Sequence, residues 1–386
     1  MNTSRINKQT NIILIIIFGL IIYTPLIVGV IKKDTLTSQV EKRNLALLPS
    51  IPKNLTELNK FPSAFNLYYA DHFGLREFLT KTYFKIINKI NTSSASPDVT
   101  FGIEDWMFLG SITPGYTANG DPMGDVTNAN PYTEEDLKKF AHSLSMTKRW
   151  LEKQGIEYIY IVAPLKHTVY FDKLPKYISK INKYSAMDQL LGYLNTHTDI
   201  KTIDLRKTFS SAKKNQQLYY KTDSHWNYIG ANIAQFEITK VIEDIFPGKI
   251  SAKLHNPSQF KLSQLTQGDL ALLANIERSE NDPRPIFNSS CPESNTAMEF
   301  EGVQSFTTNC PSKKLNALIF RDSFTTALQP FFSRKFKHAT YIQDRLNIKS
   351  LRHYIAIQKP DIVIDEIIER TLPYLPTDVN MTELVE

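Results

Sequence analysis

Two short segments of the chain, Thr222–Trp226 and Arg321–Phe324, contain a hydroxyl, an imidazole and carboxylates that suit acyl transfer. A serine hydroxyl is a weak nucleophile at neutral pH until an imidazole takes its proton, and a carboxylate orients that imidazole and stabilises its charged form. We expect Ser323 to be the nucleophile, His225 the base and Asp223 the orienting acid. Residues two apart in an extended backbone project to the same side, so one loop would supply both base and acid.

A structural interpretation of the same loop stays open. An Asp-x-His triplet is a weak signal by itself, and Asp223 would then only accept hydrogen bonds from turn amides while His225 packs on Trp226. Asn227 is a good N-cap for a helix that begins at Tyr228, which leaves the triplet in the loop before that helix.

Ser323 follows an apolar run, Leu315 to Phe320, and precedes a stretch typical of a helix that runs to Phe332. Its hydroxyl is therefore predicted at a strand-to-helix turn, at the carboxyl edge of a sheet, where open α/β sheets bind their ligands. Asp322 or Ser323 could instead simply cap the helix, which is compatible with catalysis. The first helix amides would face a developing oxyanion, and Asp322 is interpreted as structural.

An alternation of strands and helices positions these loops. Helical stretches are predicted near 184–195, 228–245, 324–333 and 349–357, which favours an α/β fold with a parallel sheet flanked by helices. A long polar insertion at 249–313 interrupts the pattern and could be a lid or a cluster of loops near the substrate. The predicted strands are Tyr158–Ala163, Thr202–Leu205, Leu315–Phe320, Ala339–Ile342 and Asp361–Ile364.

The amino-terminal segment 12–31 is uncharged and rich in Ile and Leu, and as a helix it would span roughly 30 Å of hydrocarbon. We expect one uncleaved transmembrane helix. A cleaved signal peptide is the alternative, although its apolar region is usually only about 7 to 15 residues long. Basic residues flank both ends, so charge leaves the orientation open, and export is expected because a long chain after one helix translocates regardless of later charges. The expected organisation is an anchor over 1–34, an extended linker over 35–64 and a catalytic domain over 65–386.

Charge and cysteine usage narrow the partners. The formal net charge of +6 is spread along the 386 residues, which favours an anionic polysaccharide or a membrane surface and does not argue for nucleic acid. Cys291 and Cys310 are compatible with one disulfide outside the cytosol, and two unpaired thiols are the alternative. No Cys/His spacing resembles a metal site, and we expect neither a metal nor a cofactor.

Three further side chains are weaker candidates for binding the substrate. Lys166 follows the first predicted strand of the sheet, and Arg345 follows the strand at 339–342, so both fall at a carboxyl edge. A solvated loop is the alternative for Lys166, and an ion pair with Asp344 is the alternative for Arg345. Trp226 would stack on a sugar ring, and a core position is its alternative.

Six motifs along the chain carry a resemblance to a known family. The motifs, in the expected order, are Ala70–Arg76, Gly102–Phe108, Val162–Lys166, Thr222–Trp226 with Gly230, Asp322–Phe324, and Lys359–Val363 with Glu366, Glu369 and Arg370. Through these motifs the chain resembles the SGNH-hydrolase-like polysaccharide O-acetyltransferases, in particular the membrane-anchored periplasmic alginate O-acetyltransferases, over roughly residues 65 to 370. The family's usual Gly-Asp-Ser has Arg321 in place of glycine, which is a departure from the pattern.

The resemblance implies the same roles for Ser323, His225 and Asp223, in a circularly permuted order. It implies an acetyl-serine intermediate that is loaded by a polytopic membrane acyltransferase at the inner membrane and delivers acetyl to hydroxyls of an exported polysaccharide, such as alginate, in the periplasm. A carbohydrate acetylesterase with the same three residues remains an alternative, because it differs only in whether water or sugar attacks the acyl-enzyme. A catalytically inactive polysaccharide-binding scaffold is the other alternative, and Arg321 is its one indication.

Overall fold

The computed structural model describes residues 3–31, 34, 37–38, 43–76, 78–79, 82, 98–110, 122–274, 276–287, 291 and 295–374. The chain divides into two compact units. One comprises residues 1–95 with 272–276, and the other comprises 96–271 with 277–386.

The amino-terminal unit begins with helix α1 (Thr3–Ile31), whose segment Thr10–Gly29 is long and apolar enough to cross a membrane. Its large apolar side chains are mostly exposed within the unit, as at Ile15, which is 70% exposed. The predicted apolar helix is thus present, and either an anchor or a signal sequence would have these properties.

The rest of this unit holds a short antiparallel pair, β1 (Thr37–Ser38) with β2 (Arg43–Asn44), and helix α2 (Leu55–His72). Helix α2 begins inside the segment 35–64 that we expected to be an extended linker, so that expectation fails from residue 55 onward. The reason is local, because the Asn54 side chain accepts a hydrogen bond from the amide of Glu57 and caps the helix.

The second unit is built on a mixed sheet of seven strands with helices on both faces. The helices after residue 96 are α3 (Pro122–Val126), α4 (Glu134–Glu152), α5 (Lys166–Val169), α6 (Ala186–His197), α7 (Arg206–Ala212), α8 (Tyr228–Ile245), α9 (Asp269–Leu273), α10 (Thr325–Phe332) and α11 (Ile348–Gln358). The strands are β3 (Val99–Phe101), β4 (Met107–Leu109), β5 (Glu157–Ala163), β6 (Lys201–Asp204), β7 (Phe260–Leu265), β8 (Glu280–Pro285), β9 (Asn295–Phe300), β10 (Val303–Asn309), β11 (Asn316–Phe320), β12 (His338–Ile342) and β13 (Ile362–Ile368).

The sheet has the strand order β6-β5-β13-β11-β12-β10-β9. The first five of these are parallel, and they are the five strands predicted from the sequence. The last two pair antiparallel at the β12 side and come from the segment that we predicted as a polar insertion. Two small hairpins, β3–β4 and β7–β8, lie outside this sheet.

Side chains alternate between two cores, one on each face of the sheet. Along β5, Ile159 and Ile161 belong to the core that includes α8 and α10, whereas Tyr158 and Tyr160 belong to the core that includes α4, α6 and α11. A parallel sheet covered on both faces has this pattern, so the predicted fold class is confirmed.

The two cysteines form a disulfide, with an S–S distance of 1.97 Å and a Cα–Cα distance of 4.9 Å between Cys291 and Cys310. The predicted pairing is therefore confirmed. The bridge joins the residue after β10 to the segment that leads into β9.

Candidate active site

Ser323 lies in the turn that joins β11 to α10, with its side chain exposed at the carboxyl edge of the sheet. Its Oγ is 2.7 Å from Nε2 of His225. The predicted strand-to-helix turn is present, and it brings the hydroxyl within hydrogen-bond distance of an imidazole that lies 98 residues away in the sequence.

Nδ1 of His225 lies 2.7 Å from Oδ1 of Asp223, and the same oxygen accepts the His225 amide at 3.0 Å. Burial disfavours the imidazolium, but the hydrogen bond and charge of Asp223 outweigh it and raise the pKa of His225 above its usual 6.5. Burial likewise opposes the Asp223 carboxylate, and its contacts with His225 more than compensate and lower its pKa. The pair favours imidazolium and carboxylate together.

A second carboxylate, Asp269 at the start of α9, supports this loop and was missed in the sequence. Its amide donates to Oδ2 of Asp223 at 2.9 Å, and its side chain accepts hydrogen bonds from the amide and hydroxyl of Ser224 at 2.7 and 2.6 Å. Its Oδ2 is 3.7 Å from Nδ1 of His225. Burial and repulsion from Asp223 raise the pKa of Asp269. Nothing in the sequence links these residues, because they lie 46 positions apart.

Asp223, His225 and Asp269 offer donor atoms that lie within 4.8 Å of one another, close enough for one cation. Their hydrogen bonds argue for a hydrogen-bonded network instead. The carboxylate oxygens of Asp223 and Asp269 already accept hydrogen bonds from backbone amides, from Ser224 and from the imidazole.

Lys166 is buried beneath the loop that carries Asp223, and it is only 1% exposed. Its Nζ donates to the carbonyls of Tyr220, Lys221 and Asp223 at 3.0, 3.2 and 2.8 Å. Burial lowers its pKa to about 7, although the negative charges of Asp269 and Asp223 act to raise it. The prediction that Lys166 contacts a substrate is therefore wrong, because its ammonium group is committed to holding the backbone of this loop.

Trp226 is also buried, at 1% exposure, and its ring packs edge-on against Phe324 with 5.0 Å between ring centres. Its Nε1 donates to the carbonyl oxygen of Phe324 at 3.0 Å. The prediction that this indole stacks on a sugar is therefore wrong, and its core alternative holds. The side chain connects the loop of the base to the turn of the nucleophile.

The nucleophile turn is fastened to the end of β13. Oδ1 of Asp322 accepts the Phe324 amide at 2.8 Å, and Oδ2 accepts the Ile368 amide at 2.7 Å. The Asp322 amide and the Thr325 hydroxyl both donate to the buried carboxylate of Glu366. Asp322 therefore has a structural role, as expected. The Ser323 amide has no acceptor among the described residues, so it can donate to an oxyanion.

Arg321, which replaces the usual glycine, is accommodated without a left-handed backbone. Its guanidinium group donates to the carbonyl of Asp322, to Thr326 Oγ1 and to Gln343 Oε1 at 3.2, 3.2 and 3.3 Å. The substitution therefore leaves the turn able to present Ser323.

A cavity of about 200 Å³ lies beside this turn, between α4 and the carboxyl ends of β11, β12 and β13. Arg321 and Asp322 line it, together with the exposed side chain of Arg345. Buried atoms of two lining residues, Tyr160 Oη and Glu366 Oε1, have no hydrogen-bond partner in the described part of the chain. The predicted binding role of Arg345 stays a prediction, and this cavity is where it would apply.

Comparison with known proteins gives the family context. The family described as "ALGX: SGNH hydrolase-like domain, acetyltransferase AlgX" matches residues 99–312, a range that ends before Ser323. The chain is 24% identical over 252 residues to the probable alginate O-acetylase AlgJ of Pseudomonas syringae pv. tomato, covering 62% of this chain and 55% of that protein. It is 21% identical over 198 residues to the probable alginate O-acetylase AlgJ of Pseudomonas putida, covering 49% and 46%.

The chain thus spans about half the length of the curated relatives it matches. Among solved structures, Bacillus cereus PatB1 superposes with a TM-score of 0.50 at 15% identity, over 71% of this chain and 96% of that chain. At this identity the likeness concerns the fold alone.

Proposed function

This chain belongs to the AlgX-type family of SGNH hydrolase-like acetyltransferase domains, and on that premise we propose that it is a polysaccharide O-acetyltransferase in which Ser323 carries the acetyl group. The observation that carries the proposal is the continuous contact from Asp223 through His225 to Ser323, at 2.7 Å in each step. Relatives named alginate O-acetylase support an acidic exopolysaccharide such as alginate as the acceptor.

In the first half-reaction, neutral His225 takes the proton of Ser323 as Oγ attacks the carbonyl carbon of an acetyl donor. The bond from the carbonyl carbon to the leaving group breaks, and the imidazolium returns its proton to that group. The Ser323 amide, in the turn before α10, has no acceptor among the described residues and would donate to the negative charge that develops on the carbonyl oxygen.

In the second half-reaction, His225 takes the proton of a sugar hydroxyl, which attacks the acetyl-serine and forms the new ester. Oγ of Ser323 leaves and recovers a proton from His225, so the enzyme is regenerated. The pKa of His225 is raised by Asp223, so the imidazolium that forms in each half-reaction is stabilised at neutral pH.

The site of action is part of the proposal. Helix α1 would retain the chain at the inner membrane with the second unit in the periplasm. A polytopic membrane acyltransferase would then supply the acetyl group to Ser323. Exposure of the Ser323 hydroxyl suits delivery from such a partner, because a donor held in another protein must approach from outside.

Intact-mass spectrometry of the full-length chain in detergent, after incubation with an activated acetyl ester, tests the nucleophile. We expect one acetyl adduct in the wild type and in Ser210→Ala, an exposed control on α7, and none in Ser323→Ala. Equal adducts in all three proteins would contradict the proposal. Adding oligouronate to the acetylated wild type separates transfer from hydrolysis, because acetylated sugar forms only in transfer.

A further inference from the structure

A second concave surface lies at the opposite edge of the sheet from Ser323. It is a groove of about 760 Å³, within the roughly 300–1,000 Å³ that is usual for ligand sites. Lys314 precedes β11 and Lys335 precedes β12, so the groove borders the amino ends of these parallel strands. Strand β11 separates it from the Ser323 turn by roughly 16 Å, at about 3.3 Å per residue.

The groove is strongly basic. One acidic side chain, Glu243, lines it, and that carboxylate already accepts the Ala252 amide at 3.0 Å. Over the described residues, the lysines of the groove form no ion pair. The basic residues that line it are Lys249, Lys253, Lys313, Lys314, Arg334 and Lys335.

Two of these ammonium groups are held in place by backbone carbonyls. Lys335 donates to the carbonyl of Ser251 and Lys314 to the carbonyl of Gly248, each at 3.1 Å. Burial, together with the charges of Lys313 and Lys253, lowers the pKa of Lys335 to about 8. The positive charges therefore crowd a partly desolvated site, and a bound anion would relieve their mutual repulsion.

Aromatic rings line the same groove. Phe287 and Phe331 meet edge-on at 5.4 Å, and the Arg334 guanidinium carbon lies 4.0 Å from the centre of the Phe287 ring. Nδ1 of His255, another lining residue, is buried and without a hydrogen-bond partner in the described structure. The groove thus combines cations, apolar ring surface and an unsatisfied polar atom.

This combination selects among anionic partners. A uronate residue presents a carboxylate for lysine, C–H faces for phenyl rings and hydroxyls for a histidine nitrogen. A bilayer surface is flat and attracts clusters of basic residues through charge alone. This groove is concave, and although four of its lysines are exposed, Lys335 and Arg334 are half-buried in its wall. We propose that this groove binds uronate residues of an acidic polysaccharide, at a second site on the protein that is separate from the acetyl-transfer site at Ser323.

This proposal rests on the proposed function, which makes the acceptor a glycan. Its test uses the full-length chain in detergent and a hexamer of polymannuronate, with a neutral cello-hexaose as comparison. The variant is Lys253→Glu/Lys313→Glu, which changes two exposed side chains. The control, Lys176→Glu/Lys207→Glu, makes the same change of net charge at exposed positions elsewhere, and thermal unfolding of both variants checks their folding.

We expect the groove variant to bind oligouronate at least tenfold more weakly than the wild type and the control, and raised salt to reduce this difference because charge interactions are screened. Equal affinities in the two variants, or equal binding of the neutral hexamer, would overturn the proposal. The proposal would also be overturned if the groove variant lost binding to anionic phospholipid vesicles but kept binding to oligouronate, since the groove would then face a membrane. The Ser323 adduct in the wild type reports separately on the proposed function.

Discussion

The indole nitrogen of Trp226 donates to the carbonyl oxygen of Phe324 at 3.0 Å. Trp226 directly follows His225, and Phe324 directly follows Ser323, the two residues that would exchange a proton. One buried hydrogen bond therefore joins the two loops immediately beside the reacting atoms. The separation of base and nucleophile is therefore governed by core packing as much as by their own contact.

Trp226→Phe should loosen that connection. The change removes the indole N–H that donates to the Phe324 carbonyl, and a hydrogen bond of this kind contributes about 0.5–1.5 kcal/mol. We expect the free energy of unfolding to fall by that amount and turnover of a small acetyl ester to fall at least tenfold. Denaturant unfolding and steady-state assays measure both, with Trp150→Phe, in a half-buried position on α4, as the control. Unchanged turnover in a destabilised Trp226→Phe protein would show that the connection does not position the site.

The pH dependence of acylation should report on His225. Because Asp223 raises its pKa above 6.5, the base is protonated at low pH, and the acylation rate should rise as pH passes that raised pKa. The stability that the charged pair contributes has the opposite trend, being complete below the unfolded pKa of the histidine and lost above its folded pKa.

Asp223→Asn should shift the rate profile to lower pH and reduce the rate by about 10³–10⁴-fold, since the imidazolium loses its carboxylate and the ring its orientation. Single-turnover acylation measured across pH in both proteins makes the comparison. A profile that keeps its midpoint in the variant would count against Asp223 as the source of the shift.

Asp269→Asn should have a smaller effect in the same direction. The variant keeps the backbone amide that donates to Asp223 and one acceptor for Ser224, but it loses a negative charge 3.7 Å from His225. Losing this attraction disfavours the imidazolium that forms during acylation, so we expect about a tenfold slower acylation, equivalent to roughly 1.4 kcal/mol, and a lower midpoint of the pH profile. An intact rate and midpoint would assign Asp269 to loop structure alone.

Lys166→Met should destabilise the loop that carries the base. The carbonyls of Tyr220 and Asp223 lose the ammonium donor, whereas that of Lys221 keeps the Met107 amide. At about 1–3 kcal/mol per unsatisfied group, the cost is roughly 2 kcal/mol or more. We expect a lower midpoint of urea unfolding and a slower acylation rate. Lys176→Met, at an exposed position, is the control and should match the wild type in both measurements.

The sequence was most informative where a pattern extends over many residues. Five β-branched runs alternating with helices predicted the parallel strands, and an apolar run before Ser323 predicted its turn. Antiparallel β9 and β10 were missed because the polar segment that contains them has no such period. Strand β10 pairs with β12, which lies beyond it in the chain, and β9 pairs with β10.

Single polar or aromatic residues were less predictable. Lys166 and Trp226 occur in loops at the expected edge of the sheet, yet both are 1% exposed. Their burial depends on what packs over them, and for Lys166 that is a loop more than fifty residues away. Asp269 was missed for the same reason, since its role arises from contacts with Asp223 and Ser224 that local sequence does not encode.

Strand β13, the last strand in the described part of the chain, lies inside the sheet, paired with β5 on one side and β11 on the other. During synthesis, the sheet therefore cannot close until residue 368 has emerged, and the hydrogen bond between Asp322 and Ile368 must form after that. Closing such sequence-distant pairs costs chain entropy early and makes folding slow. A chain truncated before β13 would consequently carry Ser323 in a turn that lacks its hydrogen bond to Ile368, so we expect acylation only in chains that include this strand.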